Sequence, residues 1–151
     1  MKHSANLLVE AADDIVGNVL ADLGTYPHWN DLVQAAEPTQ DNDDGPAWTT
    51  TLRAQVGPLA RSKQLRFVRA IDETEADGSR RILFERSELD GREHAAWVME
   101  VAVRSAATQT TEVTLALSYT GGLWMPALGN VLGSAIDRAT MRLPGYVASL
   151  G

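Results

Sequence analysis

The stretch from Gly121 to Leu150 constrains the fold most, because it has the pattern of a long amphipathic helix. Its apolar residues recur three and four positions apart, at Leu128, Val131, Leu132, Ala135, Ile136, Ala139, Leu143, Val147 and Leu150. Pro126 suits a first helical turn, whereas Pro144 removes a main-chain donor. We therefore expect a helix from about Pro126 to Leu143, with a kink or break at Pro144 and at most a short helical tail after it. One face of this helix needs a partner, which the preceding residues must supply.

The middle of the chain alternates apolar and polar residues with a period of two, which is typical of β-strands. The alternation runs through Trp48–Val56, Leu65–Ile71, Ile82–Phe84, Trp97–Val103 and Val113–Tyr119. The segments follow one another without a helical pattern between them. Hairpin connections and a mostly antiparallel sheet are therefore predicted.

Before these strands, the sequence predicts one short strand and two helices. Asn6–Ala11 has a strand pattern, and Asp13 is expected to cap a helix that Gly24 closes. A second, short helix is expected within residues 25–33, where Pro27 suits an early helical position. The order is thus one strand, two helices, several strands and one long helix.

Composition limits the function classes. The 151 residues, 44% of them hydrophobic, fit a single domain spanning 1–151. The absence of cysteine excludes disulfides and a cysteine nucleophile and suggests a reducing compartment. A net charge of −7 argues against nucleic acid as a partner. No signal peptide or spanning stretch is evident, so we expect a cytoplasmic protein without stable membrane insertion.

The sequence resembles the polyketide cyclase/dehydrase and START-like superfamily, also called SRPBCC or Bet v 1-like. The resemblance rests on the element order, on VLADLGTYPHWNDLV before the sheet and on LWMPAL at the start of the last helix, and it covers nearly the whole chain. It implies an α+β helix-grip fold. In that fold a curved seven-stranded antiparallel sheet wraps around a long C-terminal helix, with two short helices after the first strand and a ligand cavity between sheet and helix.

Some branches of the superfamily do not fit the residues. The ring-hydroxylase branch binds iron with two histidines and a carboxylate, but His3, His28 and His94 stand far apart here, so we expect no metal. The plant ligand-binding branch has a glycine-rich loop where this chain has DNDDGPAWT. The resemblance therefore implies a bacterial-type carrier or cyclase, and no cofactor is expected.

Three charged residues are predicted to share the apolar parity of their strands. Arg69 has the parity of Phe67, and Arg86 and Glu88 have that of Phe84. If these faces line the interior, the charged groups need partners, either each other or a bound ligand, and would anchor its polar end. The alternative is that they lie near strand ends and form exposed cross-strand pairs.

The candidate cavity residues combine these charged positions with large apolar ones. They are Trp48, Phe67, Arg69, Phe84, Arg86, Glu88, Trp97, Met99, Leu117, Tyr119, Trp124, Leu128 and Leu132. Large aromatic side chains are more often plain core, so that interpretation stands beside the cavity one. No catalytic signature is present, and catalytic residues are not assigned.

The leading hypothesis is binding or carriage of a small hydrophobic ligand, such as a lipid, a polyketide-like or another aromatic molecule. The first alternative is an aromatase/cyclase-type enzyme that folds a polyketide-like chain for ring closure. The second is an interaction module similar to the chaperone activators, which would have a filled interior and an exposed apolar patch. The sequence leaves ligand identity and oligomeric state open.

Overall fold

The computed structural model describes residues 1–42, 45–120 and 128–151, without the side chains of residues 41, 42, 56 and 128. The described elements are seven strands, two α-helices and one 3₁₀ helix. The strands are β1 (Lys2–Val9), β2 (Val33–Asn42), β3 (Gly45–Val56), β4 (Leu59–Thr74), β5 (Arg80–Arg86), β6 (Ala96–Ala107) and β7 (Thr110–Thr120). The helices are α1 (Asp13–Ala21), the 3₁₀ helix (Leu23–His28) and α2 (Leu128–Ala148).

The strands form one antiparallel sheet in the order β1-β7-β6-β5-β4-β3-β2. Chain neighbours from β2 to β7 are also sheet neighbours, and β1 pairs with β7. The apolar faces of the strands pack against α1, the 3₁₀ helix and α2 in one core. This architecture confirms the predicted α+β helix-grip fold.

The C-terminal helix continues past Pro144, as the short helical tail that the sequence allowed after this proline. α2 extends to Ala148, and Val147 one turn after Leu143 is buried with it in the core. Packing of this last turn therefore outweighs the missing main-chain donor of Pro144. The predicted start at Pro126 lies outside the described residues.

The first half of the chain differs from the sequence prediction at three boundaries. The first strand is Lys2–Val9, because its pairing with β7 begins at the N-terminus. Asp13 is the first residue of α1 instead of its cap, and Ala12 occupies the cap position without a side-chain bond. The second short helix is of the 3₁₀ type and ends at His28.

One strand was absent from the residue-by-residue prediction. β2 has the sequence VQAAEPTQDN, which lacks an apolar alternation and contains Pro38. It lies at the sheet edge and pairs with β3 alone. An edge strand tolerates proline and polar residues because one side of its backbone needs no partner strand.

Candidate functional site

Five predicted site residues lie side by side across the concave face of the sheet. We call Trp48, Phe67, Arg86, Trp97 and Tyr119 the crosswise row. Trp48 is opposite Phe67, and Phe67 is opposite Arg86. Trp97 is opposite Tyr119, with their ring centroids 4.6 Å apart. Pairing of Glu85 with Val98 places the next residue, Arg86, beside Trp97.

Arg86 lies inside the protein and not at an exposed strand end. Its side chain is only 7% exposed, and its Nε donates to Glu88 Oε1 at 3.1 Å. Its Nη1 reaches the carbonyl of Ala95 at 3.4 Å, and the same Glu88 oxygen accepts from the backbone N–H of Arg66 at 3.0 Å. The guanidinium and the carboxylate therefore neutralise each other within the row.

Two polar side-chain atoms near the row lack hydrogen-bond partners within the described part of the chain. They are the indole N–H of Trp97 and the hydroxyl of Thr50, and both are buried. Thr50 follows Trp48 on the same face of β3 and pairs with Leu65. Leaving such a group dry and unpaired costs about 1–3 kcal/mol, so each is a place where an oxygen of a ligand or a water would be stabilised.

Arg69 is also on the concave side, but its guanidinium is occupied. Its Nη1 donates to the carbonyl of Ala21, the last residue of α1, at 2.8 Å. Its Nε lies 3.7 Å from a carboxylate oxygen of Asp72. A cation at a helix C-terminus satisfies a carbonyl that the helix leaves free, so Arg69 fixes the end of α1. Its proposed role as a ligand anchor is not supported by these contacts.

The centre of the concave face is filled by aromatic side chains, two of which were not among the predicted site residues. The ring of Tyr26 lies 4.4 Å from Trp29 and 5.7 Å from Phe84, and Phe84 lies 5.7 Å from Trp48. Tyr26 and Trp29 come from the 3₁₀ helix and its C-cap. Their contribution depends on how this segment folds back onto the sheet, which no local pattern specifies.

Tyr26 acts as a structural group. Its hydroxyl donates to the carbonyl of Leu20 at 2.9 Å. Complete burial, with the nearby Asp22 carboxylate as a smaller cause, raises the pKa of Tyr26 far above its ordinary value of 10.0. The phenol therefore stays protonated and ties the 3₁₀ helix to α1.

The remaining predicted cavity residues divide between the core and the part of the chain that is not described. Met99, Leu117 and Leu132 are buried in the same core as Phe84. Trp124 lies outside the described residues, and the side chain of Leu128 is not described. The structure thus brings together most of the predicted set on one concave surface.

Comparisons with known proteins identify this arrangement. No protein-family model and none of the curated proteins match the sequence. Solved structures do match: a START superfamily protein from Mycobacterium smegmatis has a TM-score of 0.69 at 16% identity, over 99% of both chains. Human StAR-related lipid transfer protein 5 has a TM-score of 0.79 at 12% identity, over 97% of this chain and 75% of that one. The Zhui aromatase/cyclase from Streptomyces sp. R1128 has a TM-score of 0.66 at 14% identity, over 98% and 93%.

This chain has the START-like helix-grip fold. The identities are low, so the likeness concerns the fold and not a shared ligand or reaction.

The START-like interior is tightly packed at its centre. A cavity of only about 10 Å³ remains between Tyr26, Trp29, Met99 and Ile136, which is about the space of one water. A larger pocket, about 320 Å³, opens between β3 and α2. Leu32, Ala54, Val131 and Ala135 line its apolar part, and its polar lining is Asp31, Arg53, Gln55, Asn130, Ser134 and Arg138.

A charged clamp holds the wall of this pocket. Asp31, which follows the 3₁₀ helix, accepts from Arg138 Nε at 2.7 Å and also from Arg142. Both arginines belong to α2, so one carboxylate fixes the helix against the loop before β2. The clamp lies at the surface, with Arg138 and Arg142 about half exposed, and such pairs are weak enough to open.

Among the described residues, no three histidine or carboxylate side chains are close enough to hold a metal ion. In the same part of the chain, no helix is both long and apolar enough to cross a membrane.

Proposed function

We propose that this chain binds a small hydrophobic molecule between the sheet and α2, and that a neutral oxygen of that molecule accepts a hydrogen bond from the indole N–H of Trp97 at the crosswise row. The observation that carries the proposal is the buried indole N–H of Trp97, which has no hydrogen-bond partner among the described residues; the hydroxyl of Thr50, on β3, is a second such group at a separate position. Apolar contact would supply most of the affinity, and these groups would orient the ligand.

The charges of the row favour a neutral ligand oxygen over a carboxylate. Arg86 is already neutralised by Glu88, with their N and O atoms 3.1 Å apart. A second carboxylate would leave an uncompensated negative charge in a largely buried place, which is costly. A carbonyl or hydroxyl oxygen adds no charge and can still accept from the indole N–H.

The structural neighbours support a hydrophobic ligand in general terms. One of them is a lipid transfer protein and another is an aromatase/cyclase. The ligand's identity and any catalysis by this chain go beyond that likeness, as does the cytoplasmic location expected from the sequence.

No observation favours the cyclase alternative specifically. Among the described residues, the tyrosine with the strongly raised pKa, Tyr26, is already bonded to a backbone carbonyl. An acid or base for enolisation would need to contact the substrate. The interaction-module alternative also lacks support, because the large exposed apolar side chains of the described chain come from separate elements: Met1, Leu8, Ile15, Leu59, Leu89, Met141 and Leu150.

Two fluorescent probes test the proposal. Prodan is an aromatic ketone, whereas diphenylhexatriene has no hydrogen-bond acceptor. We expect both to bind, and Trp97→Phe to weaken prodan about threefold to tenfold, because one neutral hydrogen bond contributes about 0.5–1.5 kcal/mol. Binding of diphenylhexatriene should change by less than about twofold, and prodan emission should lose its hydrogen-bonded component.

Thr50→Val is the second variant, and Arg81→Met is the control. Both Trp97→Phe and Thr50→Val remove a polar group that has no partner within the described residues. Thr50→Val should lower the free energy of unfolding by no more than about 1 kcal/mol, whereas Trp97→Phe also removes buried ring volume and should lower it by about 1–3 kcal/mol. Arg81 lies on the same strand as Arg86 but pairs with Glu100 in a half-exposed position, so its replacement should leave both probes unaffected. Equal effects of Trp97→Phe on the two probes, or no binding of either, would refute the proposal and leave only a water at these groups.

A further inference from the structure

The positive charge of this acidic chain is concentrated in one segment. Residues 45–71 contain Arg53, Arg61, Lys63, Arg66 and Arg69 but no aspartate or glutamate. Since the whole chain carries −7 and this segment +5, the other residues together carry −12. The molecule is therefore strongly polarised around β3 and β4.

Three of the five cations are available at the surface. Arg66 is 8% exposed and donates to the carbonyls of Ser87 and Gln40, and Arg69 is held at the end of α1. Arg53, Arg61 and Lys63 are exposed, and within the described residues their side chains form no ion pair or hydrogen bond. No structural partner explains these three charges.

The three cations lie on an arm that extends beyond the sheet. β5 ends at Arg86, opposite Phe67, and the pairing of β2 with β3 ends at Leu52. Residues 53–64 therefore continue as a two-stranded hairpin, with Ala54 opposite Arg61 and the strand ends joined by Gly57 and Pro58. We call residues 53–64 the basic arm.

The tip of the basic arm is apolar and exposed. Leu59 is 59% exposed, and Pro58 beside it is exposed as well. Leu59, Arg61 and Lys63 alternate along β4 and so share one face of the hairpin. An apolar tip followed by cations matches the order of layers at a membrane surface, where acyl chains lie beneath anionic headgroups.

We propose that the basic arm docks this protein reversibly on an anionic lipid surface, with Leu59 entering the headgroup region and Arg53, Arg61 and Lys63 contacting lipid phosphates. Arg53 also lines the pocket between β3 and α2, so docking would bring that opening to the lipid. The arm contains no aromatic side chain on which bases could stack, which makes a single-stranded nucleic acid a poorer fit. The inference goes beyond the proposed ligand site and does not depend on it.

Flotation with lipid vesicles tests the docking surface. The full chain is mixed with vesicles of phosphatidylcholine alone or with about one third phosphatidylglycerol, at low and high salt. We expect binding to the anionic vesicles only, weakened at high salt because the charges are exposed. The triple variant Arg53→Gln, Arg61→Gln, Lys63→Gln should bind about 100-fold more weakly, at roughly fivefold per cation. Leu59→Ser should weaken binding with little change in its salt dependence.

A charge-matched variant is the control. Lys2→Gln, Arg92→Gln, Arg104→Gln also removes three exposed cations, but from outside the arm, and should retain binding within about threefold. Thermal unfolding of each variant checks the fold. The proposal is overturned if the full chain does not bind anionic vesicles, or if both triple variants lose binding equally. Binding of a DNA oligonucleotide without binding of vesicles would overturn it as well. Prodan binding is measured in parallel, so failure of docking is distinguishable from failure of the ligand site.

Discussion

At the residue scale, the environment of each charged group decides whether it stabilises the fold or is available for a ligand. Arg69, Arg80 and Arg86 have three different partners: the carbonyl at the end of α1, the carboxylate of Asp72 and the carboxylate of Glu88. Both carboxylates are 21% exposed. Alternation predicted the face of Arg86, whereas Glu88 lies past the end of β5 and is not placed by the alternation of that strand. Alternation could not predict that the Arg69 guanidinium would reach the end of α1, because that contact joins residues 48 positions apart.

Asp72 gives a pH-dependent prediction at this scale. Arg80 donates two hydrogen bonds to its carboxylate, at 2.7 and 2.8 Å, and holds the pKa of Asp72 below its ordinary value of 3.8. A carboxyl group whose pKa is lowered on folding stabilises the protein above its unfolded pKa, and this stabilisation is lost as the pH falls through the folded pKa.

We therefore expect Asp72→Asn to lower the free energy of unfolding by about 1 kcal/mol or less near pH 7, since the pair is partly exposed and screened. The difference from the parent should vanish near pH 2, as measured by urea unfolding across the pH range. Glu112→Gln, at the more exposed pair with Arg104, is the control and should have a smaller effect at neutral pH. If Asp72→Asn lowered the free energy of unfolding as much near pH 2 as at pH 7, the loss would not come from the ionised Asp72–Arg80 pair.

At the element scale, α2 shows that packing can override local signals. Its apolar stripe was predictable, and the residues Ala135, Ile136, Ala139 and Leu143 that form it are buried. Pro144 predicted a kink or break with at most a short tail, and the burial of Val147 stabilises that last turn as part of α2. β2 shows that packing can also create an element without a local signal. Its sequence has no apolar alternation, and its pairing with β3 makes it a strand.

The glycines of α2 give a matched pair of predictions. A Cβ added at Gly145 would meet nothing within 4 Å, whereas one at Gly133 would lie 3.0 Å from the His3 ring of β1. Gly145→Ala should raise the free energy of unfolding by about 0.5–1 kcal/mol, because alanine loses less backbone freedom in a helix. Gly133→Ala should give no gain, or a loss of about 1 kcal/mol, because the overpacked ring must move.

A double-mutant cycle isolates this contact. In a His3→Ala background the space opposite Gly133 opens, so Gly133→Ala should then gain about as much as Gly145→Ala does. Chemical denaturation measures all four proteins of the cycle. Equal effects of Gly133→Ala in both backgrounds would show that His3 and Gly133 do not constrain each other.

At the scale of the whole molecule, the fold was predictable and the state of its interior was not. The element order and the resemblance predicted seven strands around a long helix, and the structure confirms them. At the centre of the described core, the gap between Tyr26, Trp29, Met99 and Ile136 is only about 10 Å³. A ligand that enters at this point must therefore displace packed side chains.

Because a bound ligand stabilises the folded state, removing it should lower the stability of the protein. If the protein is purified with a hydrophobic molecule bound, extraction with organic solvent and refolding should lower Tm, and added ligand should restore it. A ligand at 100 times its Kd contributes about 2.7 kcal/mol of free energy. Native mass spectrometry of the untreated protein detects any bound molecule, and denaturation then releases that molecule for identification. An unchanged Tm with no adduct would argue against tight carriage.

The sequence by itself determined the period of each element and therefore which face of most strands and of α2 is buried, because a period of two or of 3.6 follows from backbone geometry. Only the tertiary structure decided which buried faces meet. Placement of Trp97 beside Arg86, and of Thr50 two strands away on the same face, comes from strand register across β3 to β6. The filling of the centre by Tyr26 and Trp29 comes from how one short helix folds back. Such contacts join residues that are far apart in the sequence, so the local pattern around one residue does not predict its partner.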